Sequence, residues 1–176
     1  ELRDTQEILM NSARMDLLTG LLSRPGLEDK LVQEQSKSQI MGKAFSVILA
    51  DIDHIGEINS KFGMKMGDQI IIRTGSILKE SVANQELVGR WSSEEFLILL
   101  PEAGLKDANM LAEKIRSRIE KESLNFNQNQ ISLTLSMGVN HCLPDMEWDK
   151  CIAEAQECMH QAKALGRNRL VAIDMD

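Results

Sequence analysis

The sequence predicts an α/β domain with a central sheet flanked by helices, and three observations carry that expectation. Short apolar β-favouring runs alternate with amphipathic stretches at helical spacing, the two kinds follow one another without an internal repeat, and no low-complexity linker divides them. Hydrophobic residues make up 43% and charged residues 27% of the 176 positions, enough to bury a core and far from a disordered composition. One domain is therefore expected, over residues 15–176, preceded by a connector helix over residues 1–14.

The connector places Leu2, Ile8 and Leu9 among polar residues, the mark of a short amphipathic helix. The sequence begins without Met, so a piece of a longer protein with an upstream sensory domain is expected. After the turn Leu18-Thr19-Gly20, Ser23 stands as an N-cap and Pro25 in the first turn of a helix running to about Ile40. Phe45 to Ala50 is a buried strand ending at Asp51. Ile55 to Phe62 reads as a short helix and Gly67 to about Val82 as a long one, with Gly63 and Gly67 bracketing the break. Glu86–Trp91 and Glu95–Leu100 form a β-hairpin around Ser92-Ser93-Glu94, stopped by Pro101. Its turn chemistry is odd, because turns that need positive φ are normally filled by Gly or Asn. Leu105 to about Glu122 is a helix, Asn125 to Gln130 a polar loop, Ile131 to about His141 a strand, Trp148–Leu165 a helix ended by Gly166, and Arg169–Ile173 the closing strand.

Charge narrows the function. With 20 Lys+Arg against 27 Asp+Glu the net charge is -7, which repels a phosphate backbone and disfavours a nucleic-acid polymer as partner. No apolar run reaches the roughly 18 residues that span a bilayer. The cysteines Cys142, Cys151 and Cys158 are odd in number and lack CxxC spacing, so no disulfide framework or structural zinc is expected, and a reducing cytoplasmic setting fits, as a free protein or as the cytoplasmic part of a larger one. Cys151 and Cys158 at seven-residue spacing read as core. His54, His141 and His160 have no evident partners.

Asp51-Ile52-Asp53 lies where a strand gives way to a loop, so carboxylates and a carbonyl converge there on one hard cation such as Mg²⁺. Taken alone, acidic residues at a strand end more often sit in solvent or cap a helix. Glu94 and Glu95 of the hairpin would join that rim, while Lys163 and Arg167 around a helix end would clamp phosphates or merely complement the helix dipole.

Together these segments resemble the GGDEF family, bacterial diguanylate cyclases that join two GTP into cyclic di-GMP. The marks are Asp16-Leu-Leu-Thr-Gly-Leu-Leu-Ser-Arg24; Asp51-Ile-Asp-His-Ile-Gly-Glu-Ile-Asn59 with Phe62-Gly63 and Gly67-Asp68; Arg90-Trp-Ser-Ser-Glu-Glu-Phe96 with Leu100-Pro101; Leu135-Ser136-Met-Gly138; and Ala162-Lys163 with Gly166-Arg167-Asn168. The resemblance implies a mixed, largely antiparallel five-stranded sheet similar to the palm of nucleotidyl cyclases and polymerases. It implies that Asp51, Glu94 and the Ile52 carbonyl hold Mg²⁺ or Mn²⁺, that Asn59 and Asp68 read the guanine edge, and that Lys163 and Arg167 hold the β- and γ-phosphates. Glu95 would support the hairpin, and Ile55 and Gly56 would present backbone N–H groups to phosphate.

The departures are as informative. Ser92-Ser93 replaces the signature glycines, where a side chain implies strain of roughly 1–3 kcal/mol or a clash with nucleotide. Gly56 replaces a phosphate-facing Lys and Met64 a His. Ala83 and Glu86 stand where the Arg and Asp of the family's product-inhibition site belong, so no such site is expected, and Arg90 beside it does not restore one. The resemblance thus implies a degenerate, regulatory domain that binds GTP with Mg²⁺ and has weak or no cyclase activity. The alternatives are a working cyclase, active as a homodimer, and an interaction domain without nucleotide.

Overall fold

In a computed structural model, residues 1–174 are described, with the side chains of residues 10–12 left aside. Helix α1 (Leu2–Ala13) leads through the 14–23 turn into α2 (Arg24–Met41), then β1 (Phe45–Ile52), α3 (Ile55–Phe62), α4 (Met64–Ser81), β2 (Leu87–Arg90), β3 (Glu95–Leu100) and α5 (Leu105–Lys121). The second half holds β4 (Ser123–Phe126), β5 (Asn129–Ser132), β6 (Leu135–Cys142), α6 (Trp148–Ala164) and β7 (Arg169–Ala172). Ser23 is the N-cap of α2 as its sequence predicts, its Oγ accepting from the Gly26 N–H at 3.4 Å.

The five-stranded sheet runs β2-β3-β1-β6-β7. β1 is central and antiparallel to β3 and β6, β2 is antiparallel to β3, and β7 is parallel to β6. This is the mixed, largely antiparallel sheet that the resemblance implies.

All eight residues of β1 are buried, because helices cover both faces of the sheet. Alternation along the strand divides the core in two. Ile48, Ala50 and Ile52 pack with Ile70, Ile77 and Leu78 of α4 and Ala112 and Ile115 of α5. Phe45, Val47 and Leu49 pack with Leu27 and Leu31 of α2 and Ile152, Ala155 and Met159 of α6. Asp51 continues the second set and so meets α6 at the rim. A Cβ on Gly138 of β6 would stand 1.8 Å from the Ala155 carbonyl, so only glycine lets α6 lie this close to the sheet.

Three expectations are corrected. Helix α4 starts at Met64, not Gly67, with Gly63 at φ 92° making the break alone. The 125–130 stretch is not a loop: β4 and β5 pair as a second hairpin around Asn127-Gln128, and the strand expected from Ile131 is two strands, β5 ending at Ser132 and β6 starting at Leu135. Polar surface residues hide this hairpin, since only Leu124 and Ile131 of its strands are buried. Cys142 and Cys151 are joined by a disulfide between the end of β6 and the first turn of α6, with a Cα–Cα distance of 5.7 Å. Cysteine count and spacing carry no information about partners nine residues apart across a loop. Cys158 is free and buried. No described helix is long and apolar enough to cross a membrane.

Candidate functional site

The end of β1 and the tip of the β2–β3 hairpin meet because the strand register brings them together. Asp51 and Glu95 are direct partners across β1 and β3, and the Ile52 N–H donates to the Glu94 carbonyl at 3.4 Å. Lys163, in the last turn of α6, reaches over the rim to Asp51 with Nζ 2.8 Å from Oδ2. Asp51 Oδ1 is buried and has no hydrogen-bond partner.

Burial pushes the Asp51 carboxyl above the usual carboxylate range; Lys163 pulls it down, and the neighbouring charges of Glu95 and Glu94 push it up again. Lys163 thus does not fully offset the burial of Asp51 and its acidic neighbours. Among the described residues no three of His, Cys, Asp and Glu are grouped to hold a metal; the oxygens that would serve a cation at this rim are those of Asp51, Glu94 and the Ile52 carbonyl. The Asp51 lone pair without a donor and the hard oxygen character of the set fit Mg²⁺.

The hairpin overturns the strain argument. Neither Ser92 nor Ser93 has positive φ, so both serines sit in ordinary backbone space. Side chains and neighbouring groups hold the turn: Ser92 Oγ donates to Glu95 Oε1 at 2.6 Å, and the Trp91 N–H donates to the Glu95 carbonyl at 2.8 Å. Glu95 Oε2 is buried without a partner. The hairpin is also braced from the 14–24 segment. Arg90 donates to the Ser93 carbonyl at 2.7 Å and pairs with Asp16 at 3.3 Å, while Arg24 stacks 4.2 Å above the Trp91 ring. Asp16 in turn accepts from the backbone and hydroxyl of Thr19 at 2.9 and 2.7 Å. Arg90 is thus committed to the hairpin, and this bracing role escapes sequence reading because Asp16 and Arg90 lie 74 residues apart.

Two residues that the sequence does not single out as site residues join the rim. Gln156 and His160 line a polar cavity of about 300 Å³ with Asp51, Ser92, Ser93, Glu94 and Glu95. The available signal is their spacing from Lys163, which places all three on one side of α6. His54, by contrast, lies beside Glu57 at 3.3 Å on an exposed turn.

The expected base-reading pair lies on α3 and α4. Asn59 presses so closely on Gly67 that a Cβ there would stand 1.7 Å from its Oδ1, an oxygen that is buried and without a partner. Asp68 follows Gly67 and is half-buried. Ile55 is buried and Gly56 exposed in the first turn of α3, whose N-cap His54 supplies no side-chain bond to the helix N–H groups. Arg167 is exposed, past the end of α6. The Ala83–Glu86 stretch closes on itself, the Glu86 carboxylate accepting from the Ala83 N–H at 2.8 Å.

The chain matches the family described as diguanylate cyclase, GGDEF domain, over residues 13–169. It is 33% identical over 166 residues to the diguanylate cyclase DosC of Escherichia coli, covering 94% of this chain but 36% of that protein. It is 32% identical over 163 residues to the probable diguanylate cyclase DgcF of Escherichia coli, covering 89% of this chain and 50% of that one. The chain thus spans half or less of these relatives. Among solved structures, the diguanylate cyclase SiaD of Pseudomonas aeruginosa, in complex with its activator SiaC, superposes with a TM-score of 0.89 at 28% identity, over 98% of this chain and 66% of that one. The coiled coil and GGDEF domain of DgcB from Caulobacter crescentus, in complex with c-di-GMP, shares the fold at a TM-score of 0.92 and 24% identity, over 98% of this chain and 92% of that one. The family match over residues 13–169 and the relatives above 30% identity agree with the fold: the chain belongs to the GGDEF family, the diguanylate cyclase domain.

Proposed function

We propose that this domain binds GTP with a divalent cation, has weak or no cyclase activity, and acts as a regulatory element in cyclic di-GMP signalling, with α1 as its connector to an upstream sensory domain. The single observation that carries the reading is the contrast within one site. Asn59 and Asp51 each present a buried oxygen without a partner, at the two positions where a base edge and a cation are expected. Residue 56, where a cation toward the triphosphate is expected, has no side chain, and Ser93 stands exposed at the hairpin tip.

Asn59 and Asp68 accept from the guanine edge, Lys163 and Arg167 hold the β- and γ-phosphates, and the uncapped N–H groups at Ile55 and Gly56 receive phosphate at a helix N-terminus. A divalent cation on Asp51, Glu94 and the Ile52 carbonyl would supply charge neutralisation of the triphosphate. Losing one cation beside the phosphates removes stabilisation that counts most when charge develops at the reacting centre, so turnover suffers more than binding.

The second reading, a working cyclase, is favoured by the unstrained backbone at Ser92 and Ser93. In that case two domains face each other as a homodimer. The 3′-hydroxyl of one GTP, positioned near Glu94, forms a bond to the α-phosphorus of the other as pyrophosphate leaves.

The test is a turnover assay on concentrated protein with GTP and Mg²⁺, beside the Ser92→Gly/Ser93→Gly double variant, with thermal shift as the binding readout. A shift without product supports the proposal, and product from the unmodified chain establishes the second reading. Absence of any shift leaves a domain that acts without nucleotide.

A further inference from the structure

Asp53 is more deeply buried than Asp51, at 2% against 9% exposure, and it is in no ion pair among the described residues. Its carboxylate is instead saturated by donors. Oδ1 accepts from Ser136 Oγ at 2.7 Å, and Oδ2 accepts from Thr134 Oγ1 at 2.6 Å and from the Asn168 N–H at 3.1 Å. Its own N–H donates to the Thr134 carbonyl at 3.0 Å.

The Asn168 bond falls on an unusual turn. Gly166, Arg167 and Asn168 have φ of 122°, 64° and 48°, three successive residues in a region that side chains disfavour. Such a conformation persists only where its surroundings over-determine it. Here the holds come from two sides. Asp53 takes the Asn168 backbone, while Arg116 of α5 donates to the Asn168 side chain at 2.9 Å and that side chain donates to Glu120 at 3.0 Å. At the other end, Arg167 and Gly166 donate their N–H groups to the carbonyls of Ala162 and Lys163 at 3.0 and 3.3 Å. Asp51 and Asp53, two residues apart, therefore grip the two ends of one segment: the first holds Lys163 and the second holds Asn168, with Arg167 between them.

We propose that Asp53 is a positioning residue for phosphate binding, holding the Gly166–Asn168 turn in its left-handed form and so fixing Arg167 relative to Lys163. The proposal rests on the reading of Lys163 and Arg167 as the groups that hold the β- and γ-phosphates. Alanine at position 53 would remove both acceptor oxygens, so the Asn168 N–H and the Thr134 and Ser136 hydroxyls would lose their shared partner. The guanine-reading residues Asn59 and Asp68 lie on α3 and α4, outside this network.

The test compares GTP and GMP binding, with Mg²⁺, in the unmodified chain and in Asp53→Ala, together with amide hydrogen exchange at residues 166–169. GMP lacks the β- and γ-phosphates, so it reports on the rest of the site. The expected result is that GTP affinity falls about tenfold, the scale of one weakened charge-assisted contact, with GMP affinity within about twofold and exchange accelerated at the turn. Unchanged GTP affinity, or equal losses for GTP and GMP, would overturn the positioning role. If Asp53→Ala does not fold, Thr134→Val removes one of the two donors that aim Oδ2; a few-fold loss confined to GTP supports the role, and no selective loss overturns it. An unmodified chain that binds neither nucleotide fails the reading of the site itself, and the phosphate role of Asp53 falls with it.

Discussion

The two hairpins turn by different means. In the β4–β5 hairpin the backbone does the turning: Asn127 and Gln128 take φ of 47° and 70°, the two-residue geometry that matches strand twist, with no glycine to ease it. The β2–β3 hairpin, whose signature glycines are replaced by Ser92 and Ser93, contains no positive φ and is held by Ser92, Arg90, Asp16 and the Arg24–Trp91 stack. Side chains at the rim turn therefore sit in ordinary backbone space, whereas those at the 127–128 turn do not. Residue identity at a turn forecasts strain only when the backbone there enters the left-handed region.

Four outcomes would break or sharpen this contrast. Glu94→Gln, which removes a charge from the rim hairpin, is expected to lower cation-dependent GTP binding by about 100-fold, read by titration with and without Mg²⁺; retention of affinity would separate the hairpin from the cation. Acidification acts on the same rim. Because burial raises the Asp51 carboxyl, its protonation begins above the usual carboxylate range, and apparent Mg²⁺ affinity should fall by up to about tenfold per pH unit below that point. The sign for stability is opposite. A raised folded pKa favours the protonated folded state, so this group's contribution to the cation-free fold is present at low pH and lost as pH rises through the raised value.

Arg90→Ala removes the brace to Asp16 and to the Ser93 carbonyl, and a loss of about 1–3 kcal/mol in denaturant unfolding is expected from the half-buried partner left unpaired. The smallest effects are the most discriminating. Gln128→Gly should stabilise by about 0.5–1 kcal/mol because it relieves a positive φ, whereas Ser93→Gly should destabilise by a similar amount because it adds only unfolded-state freedom. Equal signs in the two melts would show that the hairpins do not differ as described.

Much of the architecture is legible in the residues. The apolar run Phe45 to Ala50, the Ser23 cap, a helix break near Gly63 and the spacing of the motifs give the sheet, the helices and the rim where Glu94 lines a cavity with Asp51 and Lys163 pairs with Asp51. Local chemistry accounts for this: caps, periodicity and breakers act within a few residues and can be read there. The second hairpin is missed because its strands are four residues long, mostly exposed, and lack a strong apolar alternation.

What tertiary structure alone decided is long-range pairing. That Arg90 belongs to Asp16, Asn168 to Asp53 and Cys142 to Cys151 depends on which surfaces the fold brings within hydrogen-bonding or bonding reach. The backbone angles of Ser92 and Ser93 are decided the same way. Sequence by itself placed Asp51, Glu94, Glu95 and Lys163 at the rim, because strand and helix ends are locally encoded, but not Gln156 or His160. Whether those residues are strained, satisfied or left with a free lone pair was decided by neighbours distant in the chain, since burial and partner geometry are properties of the packed whole.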